Sequence, residues 1–174
     1  RAMDKSDIRA VRDSHRESAI LAKRAGYDIV YVYAGHDLSI AQHFLLSRYN
    51  QRSDEYGGSL ENRVRLLREL IEDTKQAVGD TCAVAVRFVV DELLGPDGME
   101  MDGEAPEIIA MLAELPDLWD VNISDWPHDS QTARFAEEGY QDGYTAFVKT
   151  LTTKPVVGVG RYTSPDHMAS LIAK

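Results

Sequence analysis

The chain has 174 residues, enough for one hydrophobic core and too few for two ordinary domains, and its 44 % apolar and 28 % charged residues are a globular balance. No apolar run approaches the roughly 20 residues of a membrane span, and the N-terminal residues carry no apolar signal segment, so a cytoplasmic protein is expected. The net charge of −10 opposes binding to nucleic-acid phosphate or anionic lipid, and the lone Cys82 excludes an internal disulfide framework and an all-cysteine metal site.

In chain order, Ile8, Val11, Ala19 and Ala22 keep the spacing of one buried helical stripe, and Gly26 follows where a helix ends. Residues 28–33, β-branched and aromatic, read as a buried strand. A long polar loop follows, with a short apolar turn over 40–46. Ser59 then caps a helix that turns Leu60, Val64, Leu67, Ile71 and Val78 inward and ends at Gly79. A strand over 82–88 and a helix over 104–115, with Ile108, Met111 and Leu112 inward, come next. A strand over 118–123, a helix over 140–151 and a strand over 155–159 repeat the alternation. Ser164 and Pro165 open a last helix as N-cap and first helical residue. The strands read as near-continuous apolar runs, the mark of strands covered on both faces, so an α/β fold with a parallel sheet is expected. Four strand–helix units are too few for a closed eight-stranded barrel of about 250 residues. A small open domain and a piece of a barrel both satisfy the pattern.

In parallel α/β folds chemistry collects where strands run into the following loops. Those places hold Tyr33 and His36, then Arg87, then a short loop with Trp126 and Asp129, then Gly160 and Arg161. Tyr33 and His36 straddle a small-residue turn and suit a proton relay, or else a packed tyrosine beside a backbone-satisfied histidine. Arg87 ends an apolar strand and must meet an anion, which Asp91 or Glu92 could provide structurally. Trp126 and Asp129 together suit an organic cation, although loop tryptophans commonly just pack. Glycine at 158 and 160, before a helix opened by Ser164, lets a phosphate approach backbone N–H groups, without the spacing of a dinucleotide fingerprint or a P-loop.

Residues 50–63 read NQRSDEYGGSLENR. This run resembles the signature N-x-R-T/S-D-x-Y-G-G-S-x-x-N-R of the Old Yellow Enzyme-like family of FMN-dependent (β/α)8 barrels. The likeness continues through residues 25–33 and 157–163, nearly the length of the chain. Physically the signature is a folding motif: Gly57 and Gly58 permit a sharp turn, Ser59 caps a helix, and Arg52 and Asp54 tie down the loop. The resemblance implies a partial TIM barrel, strands four to seven with their helices, with residues 1–174 the central part of a longer FMN-binding domain. Tyr33 with His36, followed by Trp126 and Asp129, is similar to the branch of trimethylamine, dimethylamine and histamine dehydrogenases. On that likeness Tyr33, His36 and Asp129 are the catalytic trio and Trp126 a wall of the substrate bowl. Arg87 faces the flavin N1 and C2 carbonyl, and Gly160 and Arg161 give backbone donors to the FMN phosphate. The loop around Trp126 is shorter than the branch's usual version and stiffened by Pro127, so the reach of Asp129 is the point to test.

The leading expectation is an FMN-dependent oxidation of a secondary or tertiary amine, with a small-molecule amine and an electron-acceptor protein as partners and no metal site in the chain. The ligands of any 4Fe–4S cluster would lie beyond Lys174. The first alternative is an NAD(P)H-dependent flavin reductase acting on an enone or dienoyl thioester. The second is a non-catalytic phosphate-binding α/β domain. Taken alone, an opened barrel exposes two strand edges, so this stretch is expected to hold FMN weakly and to self-associate, and a homo-oligomer is compatible.

Overall fold

The computed structural model describes residues 2–173, and the side chains of 2–129 and 134–173. Helix α1 (Lys5–Arg24) begins in a reciprocal cap, Asp4 accepting from Ser6 N and Asp7 N while the Asp7 carboxylate accepts from Asp4 N. Strand β1 (Ile29–Ala34), the short α2 (Ile40–Leu45), α3 (Leu60–Val78) and β2 (Ala83–Asp91) follow. Then come α4 (Ala105–Leu112), β3 (Leu118–Ile123), α5 (Trp126–Phe135), α6 (Asp142–Lys149), β4 (Val156–Val157) and α7 (Pro165–Ile172).

All three strand pairings are parallel, and the sheet order is β1-β2-β3-β4. Consecutive strands lie side by side without the reversal of a doubly wound sheet, which makes the chain an arc of a β/α barrel. One face is packed under helices. Val30, Val32, Val84, Val86, Phe88, Trp119 and Val121 are buried there against Leu67, Ile71, Ile108 and Ile109. Trp119 sets its ring edge-on to Phe88 at 5.9 Å and donates Nε1–H to the Ala113 carbonyl, so its one polar atom is satisfied in the core. The opposite, concave face is not covered as the sequence suggested: Tyr31 on it is 45 % exposed.

Residues 50–63 form a turn held mostly by its own hydrogen bonds. Arg52 grips Asp54 through Nε and Nη2 at 2.9 and 2.5 Å, and Asn50 donates to the carbonyls of Phe44 and Tyr56. A Cβ on Gly57 would collide with the Arg52 backbone, and Gly58 has φ +82°, so neither glycine is replaceable without strain. Ser59 caps α3 through Asn62 N. Arg63, buried, pairs with Glu104 and donates to the Leu45 and Gly58 carbonyls.

Other sequence expectations change as well. Residues 126–129 are the first turn of α5 rather than a loop: Asp125 accepts from His128 N, and Pro127 is tolerated where a helix has no partner for its N–H. The strand expected over 155–159 pairs at Val156 and Val157 alone. The helix expected from 140 starts at Asp142. Met111 is 38 % exposed and Ile109 takes its place inside, because α4 turns the 105-108-109-112 stripe inward.

Candidate active site

Arg87, expected to end an apolar strand, lies in the middle of β2, which runs on to Asp91, and the parallel register lines up polar residues of neighbouring strands on one rim. Tyr33 stands beside Arg87 and Arg87 beside Asp120, and the segment leading to Gly160 continues from β4 next to β3. Beyond β1 the chain makes two successive left-handed residues, His36 and Asp37, both at φ 58°. Such conformations cost about 1–3 kcal/mol each outside glycine and persist only where the surroundings impose them. Here His36 pairs as an isolated bridge with Asp125, its carbonyl accepting from Trp126 N at 3.2 Å. Gln42 Oε1 accepts from Asp37 N at 2.8 Å, and Tyr49 donates to the Asp37 carboxylate. Gln42 is itself fixed by donating to Glu92, a fully buried carboxylate that also accepts from Arg48 and Met99 N.

The result is an imidazole, 3 % exposed, aimed along a defined line. Tyr33 Oη hydrogen-bonds His36 Nδ1. With the phenol donating, the ring's N–H sits on Nε2, which faces Asp129 Oδ2 at 3.3 Å, a charge contact just outside hydrogen-bond geometry. Burial lowers the His36 pKa against the pull of Asp129, while Arg87 reinforces the lowering, so the neutral ring is favoured. Burial likewise raises the Tyr33 phenol, against the opposing influence of Arg87. Trp126 stands edge-on to His36, ring centres 5.7 Å apart at 81°, with half its surface open. Pro127 therefore does not keep Asp129 away, since α5 starts one residue after the bridge and carries the carboxylate back over the imidazole.

Arg87 does not pair with Asp91 or Glu92. Asp91 accepts from Leu93 N and Met101 N, and Glu92 is held by Arg48, Gln42 and Met99. The nearest carboxylate to Arg87 is Asp120, with 4.0 Å between Nη1 and Oδ2, and Arg87 Nε has no partner among the described residues. On β3 beside it and on the residue that follows β3 lie further buried polar atoms without partners among the described residues: Asp120 Oδ1, both amide atoms of Asn122, and Ser124 Oγ. Asn122 packs so close over Gly35 that a Cβ there would come within 2.7 Å of its Oδ1. Sequence reasoning missed this column, although Asp120, Asn122 and Ser124 recur every second residue, the signal for one strand face.

Gly160 and Arg161 lie on the same rim two strands away. Gly160 accepts from Gly139 N, and Arg161, at φ 57°, turns its side chain to the Ala136 carbonyl. Tyr162 and His167 stack and share Asp142, and Glu138 accepts from Thr163 N and Ser164 N, which fixes the turn between β4 and α7. A planar, polar, anion-bearing group fits these features: a cation on the sheet face, unpartnered donors and acceptors around it, and a glycine-bearing turn at one end. Among the described residues no three His, Cys, Asp or Glu side chains meet as a metal would need, and no helix is long and apolar enough to cross a membrane.

The chain is 54 % identical to 6-hydroxypseudooxynicotine amine oxidase from Pseudomonas geniculata N1, with a TM-score of 0.94 over 99 % of this chain and 26 % of that one. It is 47 % identical to histamine dehydrogenase from Rhizobium sp. 4-9, with a TM-score of 0.90 over 99 % and 25 % of the two chains. Over 172 residues it is 36 % identical to dimethylamine dehydrogenase of Hyphomicrobium sp. (strain x), covering 97 % of this chain and 23 % of that protein. It thus spans about a quarter of the length of these relatives. The model of one family matches residues 1–174 throughout, and the chain belongs to that family, the NADH:flavin oxidoreductase / NADH oxidase family.

Proposed function

We propose that this rim is the flavin face of an FMN-dependent oxidoreductase that oxidises a secondary or tertiary amine, and that the chain supplies strands four to seven of its barrel. The observation that carries the reading is the line Tyr33–His36–Asp129, flanked by Trp126 and set beside Arg87. The amine dehydrogenases and oxidase to which the chain is similar support it. Arg87 would face the pyrimidine end of the ring, and the backbone N–H groups of Gly160 and Arg161 would hold the phosphate.

FMN, when bound, supplies the acceptor for a hydride equivalent from the carbon beside the amine nitrogen, and the substrate leaves as an iminium that water cleaves. The chain's own residues prepare that nitrogen. Alkylamines are ammonium ions at neutral pH, and hydride loss needs a free lone pair. Tyr33 Oη takes the ammonium proton as its own proton passes to His36 Nδ1, and the imidazolium so formed faces Asp129 Oδ2. The burial that keeps His36 neutral beforehand is what leaves Nδ1 able to accept. Trp126 offers an open aromatic face to the cation and its alkyl groups. Arg87 places positive charge where the reduced ring gains negative charge. Any 4Fe–4S cluster takes its ligands from outside this chain, whose sole cysteine, Cys82, is buried at the foot of β2.

The test is anaerobic titration of the full-length flavoprotein with a methylated amine and, separately, with NADH. Bleaching of the flavin by the amine without nicotinamide is the expected result. Reduction by NADH alone would overturn it in favour of an NAD(P)H-dependent flavin reductase, in keeping with a family of NADH:flavin oxidoreductases and with the 28 % identity to a cinnamate reductase of Clostridium sporogenes.

A further inference from the structure

The inward column of β3 is the least explained part of the molecule. Asp120 sits directly across from Arg87 in the strand register, is 6 % exposed, and keeps Oδ1 without a partner among the described residues. The pair is close without being locked. At 4.0 Å the two charges lie outside hydrogen-bond reach, and Arg87 Nε is also unpartnered. A bidentate fork would have fixed the guanidinium onto β3 and used up its N–H groups. The gap instead leaves Arg87 able to turn those groups toward a ligand while remaining in the field of a carboxylate that strand pairing cannot move away.

Burial works against ionisation of Asp120, while Arg87 and, to a smaller extent, the Tyr31 hydroxyl work for it. The other titratable groups close enough to interact are Tyr31 and Tyr33 of β1, both phenols pushed up by burial and thus neutral. Arg87 is therefore the cation that faces Asp120 in this layer of the sheet, and the carboxylate partly cancels the positive field Arg87 presents to its ligand.

We propose that Asp120 sets the reduction potential of the bound flavin by offsetting part of the charge of Arg87. The inference rests on the flavin reading above. Asp120 is a positioning residue in this account: it acts through Arg87 and touches neither substrate nor reacting atoms.

The full-length holoenzyme tests it. Asp120→Asn removes the negative charge at nearly constant shape. In mildly alkaline buffer the flavin potential should shift to a more positive value, and sulfite, whose flavin adduct is anionic, should bind several-fold more tightly. Asp120→Glu, which keeps the charge, should stay near the parent in both measurements. A purely structural residue would move neither readout in this charge-dependent way. An Asn variant with an unchanged or more negative potential overturns the proposal. If that variant does not fold, Asp120→Ser carries the same expectation and the same refutation. A parent protein that purifies without flavin overturns the cofactor reading together with this one, whereas a flavin-loaded enzyme indifferent to Asp120→Asn overturns this one alone.

Discussion

The turn over residues 50–63, largely at the surface, and the more buried polar rim on the sheet face of β1, β2 and β3 treat hydrogen bonds in opposite ways. In the turn, Arg52, Asp54, Asn50, Asn62 and Arg63 all find partners, most of them within the loop and its flanks, with Arg63 also pairing with Glu104 and Arg52 donating to the Met3 carbonyl. At the rim, Arg87 Nε, Asp120 Oδ1, Asn122 and Ser124 keep atoms without a hydrogen-bond partner among the described residues. Leaving a buried polar group unsatisfied costs about 1–3 kcal/mol. On the proposed reading, the polar atoms left open in the second region are kept for a ligand. On that reading the long signature shapes the arc, and the sparse polar residues of the rim act.

Substitutions in the two regions should separate stability from chemistry. The largest effect is expected at the rim: His36→Gln should lower amine-driven flavin reduction by about 10²–10⁴-fold, the usual weight of a positioned proton acceptor, with little loss of stability. Stopped-flow absorbance checks the first and a denaturant midpoint the second. Gly57→Ala should do the reverse, costing about 3 kcal/mol in unfolding free energy because the added methyl meets the Arg52 backbone, while the pH profile of surviving enzyme stays unchanged. A smaller effect is expected at Trp126→Ala, about 0.5–2 kcal/mol read as a raised KM for the amine, with kcat changed less.

The smallest effect concerns acid stability. His36 has its pKa lowered from the ordinary 6.5 by burial, so below that pH the unfolded chain binds a proton that the folded one resists. Its contribution is intact above pH 6.5 and declines as the pH falls below it, and His36→Gln should flatten that part of the stability curve. An equal slope in parent and variant would contradict the burial argument.

The sequence carried much of this contrast. The β-branched runs at β1 and β2 and the caps at Ser59 and Ser164 mark elements because they depend on neighbours in the chain. Tyr33, His36 and Arg87 stand out in the sequence as polar residues in or just after apolar runs, although β2 continues past Arg87 to Asp91. What depends on distant contacts was not legible. The reach of Asp129 follows from the bridge between His36 and Asp125, and Pro127 reads as a loop breaker until that bridge starts a helix beneath it. The partner of Arg87 is fixed by register with β3, which no local pattern reveals. Asp120, Asn122 and Ser124 did alternate in the sequence, but reading β3 as a continuous apolar run hid them.

The central claim is that Tyr33 and His36 together take the amine's proton, and the pH dependence of the reductive half-reaction tests it most directly. In the full-length flavoprotein, the rate of amine-driven flavin reduction measured across pH should lose or displace its acid limb when Tyr33→Phe removes the hydroxyl. A profile in Tyr33→Phe that overlays the parent's at every pH, scaled or not, would contradict the account.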